Sequence, residues 1–234
     1  MRQSQCEVRR LLLLMAGICV AAAPATAPST APALADELVR IDSVASKVED
    51  LTADFEQRKY SPLLRDPLIT RGTIRAKGAA LIWRSEEPEV TRTRVTLDRL
   101  QIFYARQNVV EEYPIAGKLG ALAASPLPRL ATLRERFTIT RDAGDNFAAA
   151  EGGDRLTLRL DPIDAEVKQY VGHIRVLLDM ARGLVLSFEM VDPDGERTTI
   201  SFTRIATNTG FPDAELELGA PKDAKFVKPL EPGK

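Results

Sequence analysis

Beyond position 19 the chain contains no cysteine, so disulfides, thiol nucleophiles and cysteine-ligated metals are excluded from everything that follows. It contains one histidine, His173, and one tryptophan, Trp83. His173 has no second histidine or cysteine beside it to complete a metal site. No G-x-S-x-G elbow, P-loop or dinucleotide fingerprint occurs, which removes the commonest hydrolase and nucleotide-binding readings. Carboxylates are abundant, but a glycosidase pair has to converge in a cleft, and no spacing here requires that. Charge of either sign is not in excess: 32 basic and 33 acidic residues give a net charge of −1. That balance supplies no footprint for nucleic acid or an anionic membrane surface.

What is present begins with a leader. In "CEVRRLLLLMAGICVAAAPATAPSTAPALA" two arginines, Arg9 and Arg10, precede an apolar run from Leu11 to Ala23, and the stretch ends at Ala33, Leu34 and Ala35 before Asp36. This is the pattern of a cleaved secretory signal peptide, residues 1–35, which directs the chain to the periplasm. The apolar run is shorter than the roughly 18 residues a spanning helix needs, and no later run approaches that length. Both cysteines, Cys6 and Cys19, leave with the leader, as do three arginines and one glutamate, so the remainder carries a net charge of −3. Residues 36–234 read as a single domain, large enough to close a core without cross-links.

The first segment, "DELVRIDSVASKVEDLTADFEQR", places Leu38, Ile41, Val44, Val48, Leu51 and Phe55 at steps of three or four, which predicts one amphipathic helix over 36–58. Pro62 and Pro67 forbid its continuation. From Leu68 the period becomes two. "TRTRVTLDR" sets Thr91, Thr93, Val95 and Leu97 against Arg92, Arg94, Thr96 and Asp98. "DRLTLRLD" alternates Leu156, Leu158 and Leu160; "GLVLSFEMVD" alternates Leu184, Leu186, Phe188 and Met190; "RTTISFTRI" adds Ile200 and Phe202. Turn signals separate these runs, and Asp192-Pro193-Asp194-Gly195 predicts a hairpin of the strands beside it. Residues 113–137, small, apolar and interrupted around Ser125 to Pro128, suit two short helices. The expected fold is α+β and mainly antiparallel: about ten or eleven strands, with the N-terminal helix and the helical insert over one face.

No catalytic set emerges, and no cofactor or metal is expected. His173 reads as a structural strand residue, Glu56 as a solvated side chain at the helix end, and the arginines of "RGTIRAKG" and "TRTR" as a solvated face, with docking of an acidic partner as the lesser reading. More telling is the recurrence of large apolar residues along successive strands: Trp83, Val95, Leu97, Phe103, Phe188, Met190, Ile200 and Phe202. They form either an ordinary core or, with Leu186, the lining of a cavity for apolar cargo. Each methylene withdrawn from water is worth about 0.8 kcal/mol, so a long acyl chain left in water costs on the order of 10 kcal/mol, and a lipid crossing an aqueous space needs a sheath.

The order of short motifs points further. "DFEQ" (54–57), then "GTIRAKGAALIW" (72–83) closing on tryptophan, "EEPEV", and "TLDRLQIFYARQNVVEEYP" (96–114) followed by a helical insert, resembles the LolA family of periplasmic lipoprotein carriers over essentially the whole of residues 36–234. The resemblance implies a curved half-barrel closed by helices, whose interior takes acyl chains from an inner-membrane donor and delivers them to an outer-membrane acceptor, as a monomer and without catalysis. By position it implies that Trp83, Phe103 and Tyr104 frame the cavity. Phe55 would then pack the first helix on the sheet, and 115–136 would form a lid presenting Leu119, Leu122, Leu127 and Leu130. The family's Arg-Pro pair before the tryptophan is missing; Lys77 and Gly78 stand there, and Lys77 or Arg84 is the candidate substitute for an arginine that helps hold the lid. The competing expectation is an exported protein-interaction module with a filled core and no lipid. A hydrolase using His173 is the most distant.

Overall fold

The structure, a computed structural model, describes residues 33–114, 127, 130–142, 154–165 and 167–229. Helix α1 (Leu34–Ala45) carries Asp36 and Glu37 in its first turn, where carboxylates favour the positive end of the helix dipole, and buries Leu38, Ile41 and Ala45. Its end is closed by the Ser46 amide donating to the Asp42 carbonyl, and the Ser46 hydroxyl donates to the Ser43 carbonyl at 2.9 Å. The helix predicted to run to residue 58 therefore stops at Ala45, thirteen residues early. Strand β1 (Asp50–Tyr60) takes over, with Leu51, Ala53 and Phe55 buried on one face.

The hairpin β2 (Leu68–Lys77) and β3 (Ala80–Glu87) follows, then β4 (Thr91–Val95), β5 (Arg99–Tyr104) and β6 (Val109–Pro114) as a meander. After the four-residue helix α2 (Leu130–Leu133) come β7 (Phe137–Arg141), β8 (Arg155–Pro162), β9 (His173–Asp179), β10 (Leu184–Val191), β11 (Arg197–Thr207) and the short β12 (Lys225–Val227). These twelve described strands make one sheet in the order β12-β6-β5-β4-β3-β2-β1-β11-β10-β9-β8-β7. All neighbours are antiparallel except β12, which runs parallel to β6. β12 and β7 are the two ends of the order, so the sheet is open. The expected α+β class holds, with a mixed rather than purely antiparallel sheet and the extra strand β12.

The predicted hairpin at 192–195 is present. The Asp192 amide donates to the Glu196 carbonyl, and Gly195 takes φ +83°, a conformation that costs a side-chain-bearing residue energy. The helical insert falls largely on residues outside the description, 115–126 and 128–129. Its described part is Leu127 and α2, so no second covering helix is seen among the described residues.

Register assigns each side chain to a face, because cross-strand partners point the same way. The inner face bears Leu51, Ala53 and Phe55 of β1, Ile74 of β2, Trp83 of β3, Leu158 and Leu160 of β8, Ile174, Val176 and Leu178 of β9, and Ile200 and Phe202 of β11. Leu38 and Ile41 of α1 join these in the main core. The outer face of β2–β6 is also covered. Here the chain after β11 returns across the sheet, packing Phe211 and Leu216 on Ile82, and Leu218 and Ala224 on Phe103 and Val110. That strap begins at a knot. The buried Asp50 carboxylate accepts the amide and hydroxyl of Thr209 and the amide of Gly210, all at 2.8 Å. Burial alone would raise this carboxyl, but the three donors outweigh it and hold it below its ordinary value.

Candidate functional site

Three aromatic rings meet at the middle of the inner face. Phe55 lies between Phe202 and Gly72 in the register, and Gly72 must be glycine because a Cβ there would strike the Arg84 carbonyl. With no side chain beside it, the Phe55 ring stands edge-on to Trp83, centroids 4.6 Å apart at 74°, and Trp83 in turn lies 5.9 Å from Phe202. Phe55 and Phe202 are buried, whereas Trp83 is only half-buried. The apolar tract extends both ways. On one side are Phe188 and Met190, half-buried against the core, which share the face of Ile200. On the other, the row Trp83, Thr93, Ile102, Glu111 crosses β3–β6, with half-buried Leu100 and Tyr104 in the adjacent rows.

The structure redistributes the sequence candidates. Val95 is inner and buried, but Leu97 lies past the end of β4 and is 70% exposed. Phe103 is outer: it shares a row with Arg92 and Val110 and is buried beneath the strap, so it cannot frame the inner face beside Trp83. Tyr104, its neighbour, is inner. Leu186 sits at a register shift between Val185 and Ser187, so that Val185, and not Leu186, shares the face of Phe188 and Met190. Phe55 is a strand residue of the core, not part of a helix laid on the sheet. Leu130 is 1% exposed and belongs to the core, its amide donating to Asp42 Oδ1 at 3.0 Å; Leu127 is half-buried against that core. Leu119 and Leu122 lie outside the described residues.

The charged candidates resolve as structural. Glu56 is on the outer face of β1, bonded to Arg58 at 2.7 Å and Arg71 at 2.8 Å. Partial burial pushes its carboxyl up, but these bonds prevail and lower it. With Asp54, Thr73, Ser201, Thr203 and Arg204 it lines an outer cleft of about 500 Å³. Arg71 pairs with Glu56 and Glu87, and Arg204 with Asp54, so both arginines of the lining are engaged by carboxylates, which outnumber them there. The arginines are not a free face. Arg84, Arg94 and Arg92 donate to the carbonyls of Glu215 (2.7 Å), Leu216 (2.9 Å) and Gly219 (2.5 Å), and Arg75 pairs with Glu215. Lys77 bonds Asp213 at 2.5 Å. Both candidate substitutes for the missing arginine thus hold the strap. His173 is on β9, its pKa lowered by burial and then by the nearby Arg159 guanidinium. Among the described residues no cluster of three or more His, Cys, Asp or Glu could hold a metal.

Sequence reasoning passed over Leu100, Ile102, Glu111 and Tyr113, all inner. "VVEEYP" sets like residues side by side and so carries no period of two; only the register places its side chains on a face. A second pocket, of about 330 Å³, opens at the far end of the inner face, lined by Leu34, Leu38, Phe137, Ile139 and Ile163 with Ala35, Arg134 and Thr138.

No family model and no curated protein matches the chain. Solved structures do. One is an uncharacterized conserved protein from Thermus thermophilus, 13% identical, aligned over 83% of this chain and 98% of that one with a TM-score of 0.55. A LolA superfamily protein from Nitrosomonas europaea is 12% identical over 80% of this chain and 98% of that one, TM-score 0.41. A chain of the Pseudomonas aeruginosa MucA/MucB complex is 16% identical over 79% of this chain and 60% of that one, TM-score 0.46. At such identities the likeness to the Thermus protein establishes a shared fold: a wide open sheet with an N-terminal helix.

Proposed function

We propose that the protein is a periplasmic, non-enzymatic carrier that shields the acyl chains of a lipoprotein or another lipid on the inner face of its sheet and shuttles them from an inner-membrane donor toward an outer-membrane acceptor. The observation that carries this reading is the half-buried apolar tract of Met190, Phe188 and Trp83, packed on a buried core, extended across Thr93 to half-buried Ile102, and bearing no catalytic group. Aromatic and thioether side chains suit such a site, since flat rings and a polarizable sulfur accommodate chains of varying position. The leader pattern supplies the compartment, and its removal after Ala35 would take Leu34 and Ala35 from the wall of the 330 Å³ pocket and open it further.

Phe188→Asp tests the reading. The side chain is half-buried, so the variant is expected to fold while its affinity for a fluorescent fatty acid falls at least about tenfold, the cost of facing an acyl chain with a charge. Native mass spectrometry of protein taken gently from the periplasm should show a stoichiometric lipid or acylated-peptide adduct. A folded variant with unchanged uptake, together with a clean apo mass, would favour the rival reading, an exported interaction module. The feature in its favour is the polar outer cleft.

A further inference from the structure

The two faces of β3–β6 differ sharply in charge. Arg84, Arg92, Arg94 and Arg99 all point outward with Glu112. On the inner face of the same registered strands, the one charged residue is Glu111. It is half-buried and clasped by two phenols: Tyr113 donates to Oε2 at 2.8 Å and Tyr104 donates to the same oxygen at 3.2 Å. Oε1 accepts from no described side chain, and no described cation pairs with the carboxylate. Burial and then the Glu111 charge raise Tyr104, and the bond to Glu111 and then burial raise Tyr113, so both phenols stay protonated donors. Glu111 lies in the Trp83 row, three strand spacings away, or about 14 Å at about 4.8 Å each. An apolar tract that ends in an oriented carboxylate fits an amphiphile lying along it, tail on Trp83 and head at Glu111. An outer face full of arginine next to an inner face with none argues against an anionic head.

We propose that Glu111, positioned by Tyr104 and Tyr113, is a head-group site selecting cargo that carries a protonated amine beside its acyl chain. This rests on the carrier reading and deepens it. The test measures competition by dodecylamine, dodecanol and laurate against a fluorescent fatty acid, for the wild type and for Glu111→Gln, which is nearly isosteric and keeps both phenol bonds. The wild type is expected to prefer the amine over the alcohol by about tenfold, the weight of one charge-assisted hydrogen bond, and to bind laurate most weakly. Glu111→Gln should bring amine and alcohol together, chiefly by weakening the amine. Should that variant misfold, Tyr104→Phe with Tyr113→Phe gives a second reading, with the amine preference expected to fall several-fold as the carboxylate loses its fixed orientation. Equal binding of the three heads by the wild type, or an amine preference surviving in Glu111→Gln, overturns the head-group site alone. No binding of any of the three overturns the carrier reading with it.

Discussion

Replacing Phe55 by alanine probes the centre of the fold and of the proposed site together. The side chain is 4% exposed, paired with Phe202 across β11 and edge-on to Trp83 at 4.6 Å. Its removal leaves a cavity floored by Gly72, which has no side chain to fill it. Buried Phe→Ala changes cost about 3–5 kcal/mol, and the aromatic contact places this one toward the upper half. For a domain of this size each kcal/mol moves the melting temperature by about 2–4 °C, so a fall of about 8–16 °C is expected. Glu56→Ala, one residue on, is the control. That side chain is 31% exposed and makes surface ion pairs with Arg58 and Arg71, which are worth less than about 1 kcal/mol. Thermal melts by circular dichroism would read both, with Trp83 emission shifting to longer wavelength in Phe55→Ala. If Phe55→Ala cost less than about 1 kcal/mol, or no more than Glu56→Ala, the alternation assigned to β1 would be refuted.

Two further outcomes follow from the polar structure. Asp50 and Glu56 are carboxyls held below their ordinary values, so the stability they contribute is complete above about pH 4 and is lost as pH falls through their folded values. Urea midpoints should be level between pH 7 and 5 and drop below pH 4, and Asp50→Asn should flatten the drop; an unchanged profile in that variant would remove Asp50 from the account. Arg92→Met with Arg94→Met keeps the aliphatic stems but deletes the bonds to Leu216 and Gly219, at about 1.5–3 kcal/mol per charged bond. Tryptic cleavage at Lys222 and Lys225 should accelerate at least about tenfold while the main sheet stays protected, and an unchanged rate would show that the strap is held by its apolar contacts alone.

The meander, the hairpin at 192–195 and the alternation of β4, β8 and β11 were legible because polar and apolar residues alternate where only one face is buried. β1 was misread for a definable reason. Leu51 and Phe55 are four apart, a separation compatible with both a helix and a strand, and Ala53 is too small to reveal period two. "LQIFY" in β5 is apolar on both sides because both faces are covered, the outer one by a strap that reads in sequence as a polar tail. Phe103 therefore went to the wrong face. The bulge at Leu186 shifts the phase within β10, which no pattern in "GLVLSFEMVD" announces. Of the candidate site, the Trp83 and Phe202 centre and the Phe188 and Met190 extension were readable. Glu111 was not, because assigning a face to one carboxylate of the pair Glu111 and Glu112 requires the register.

Trp83 is the only tryptophan in the chain, and it stands half-buried on the inner face against Phe55 and Phe202. A bound acyl chain brominated along its length would therefore report its own location by contact quenching. Titration of the protein with brominated and plain fatty acids of equal length is predicted to give saturable loss of Trp83 emission with the brominated chain and none with the plain one, at matching affinities. Binding without quenching would place the cargo elsewhere on the molecule, and no binding of these acids or of the matching brominated amines would contradict the carrier account outright.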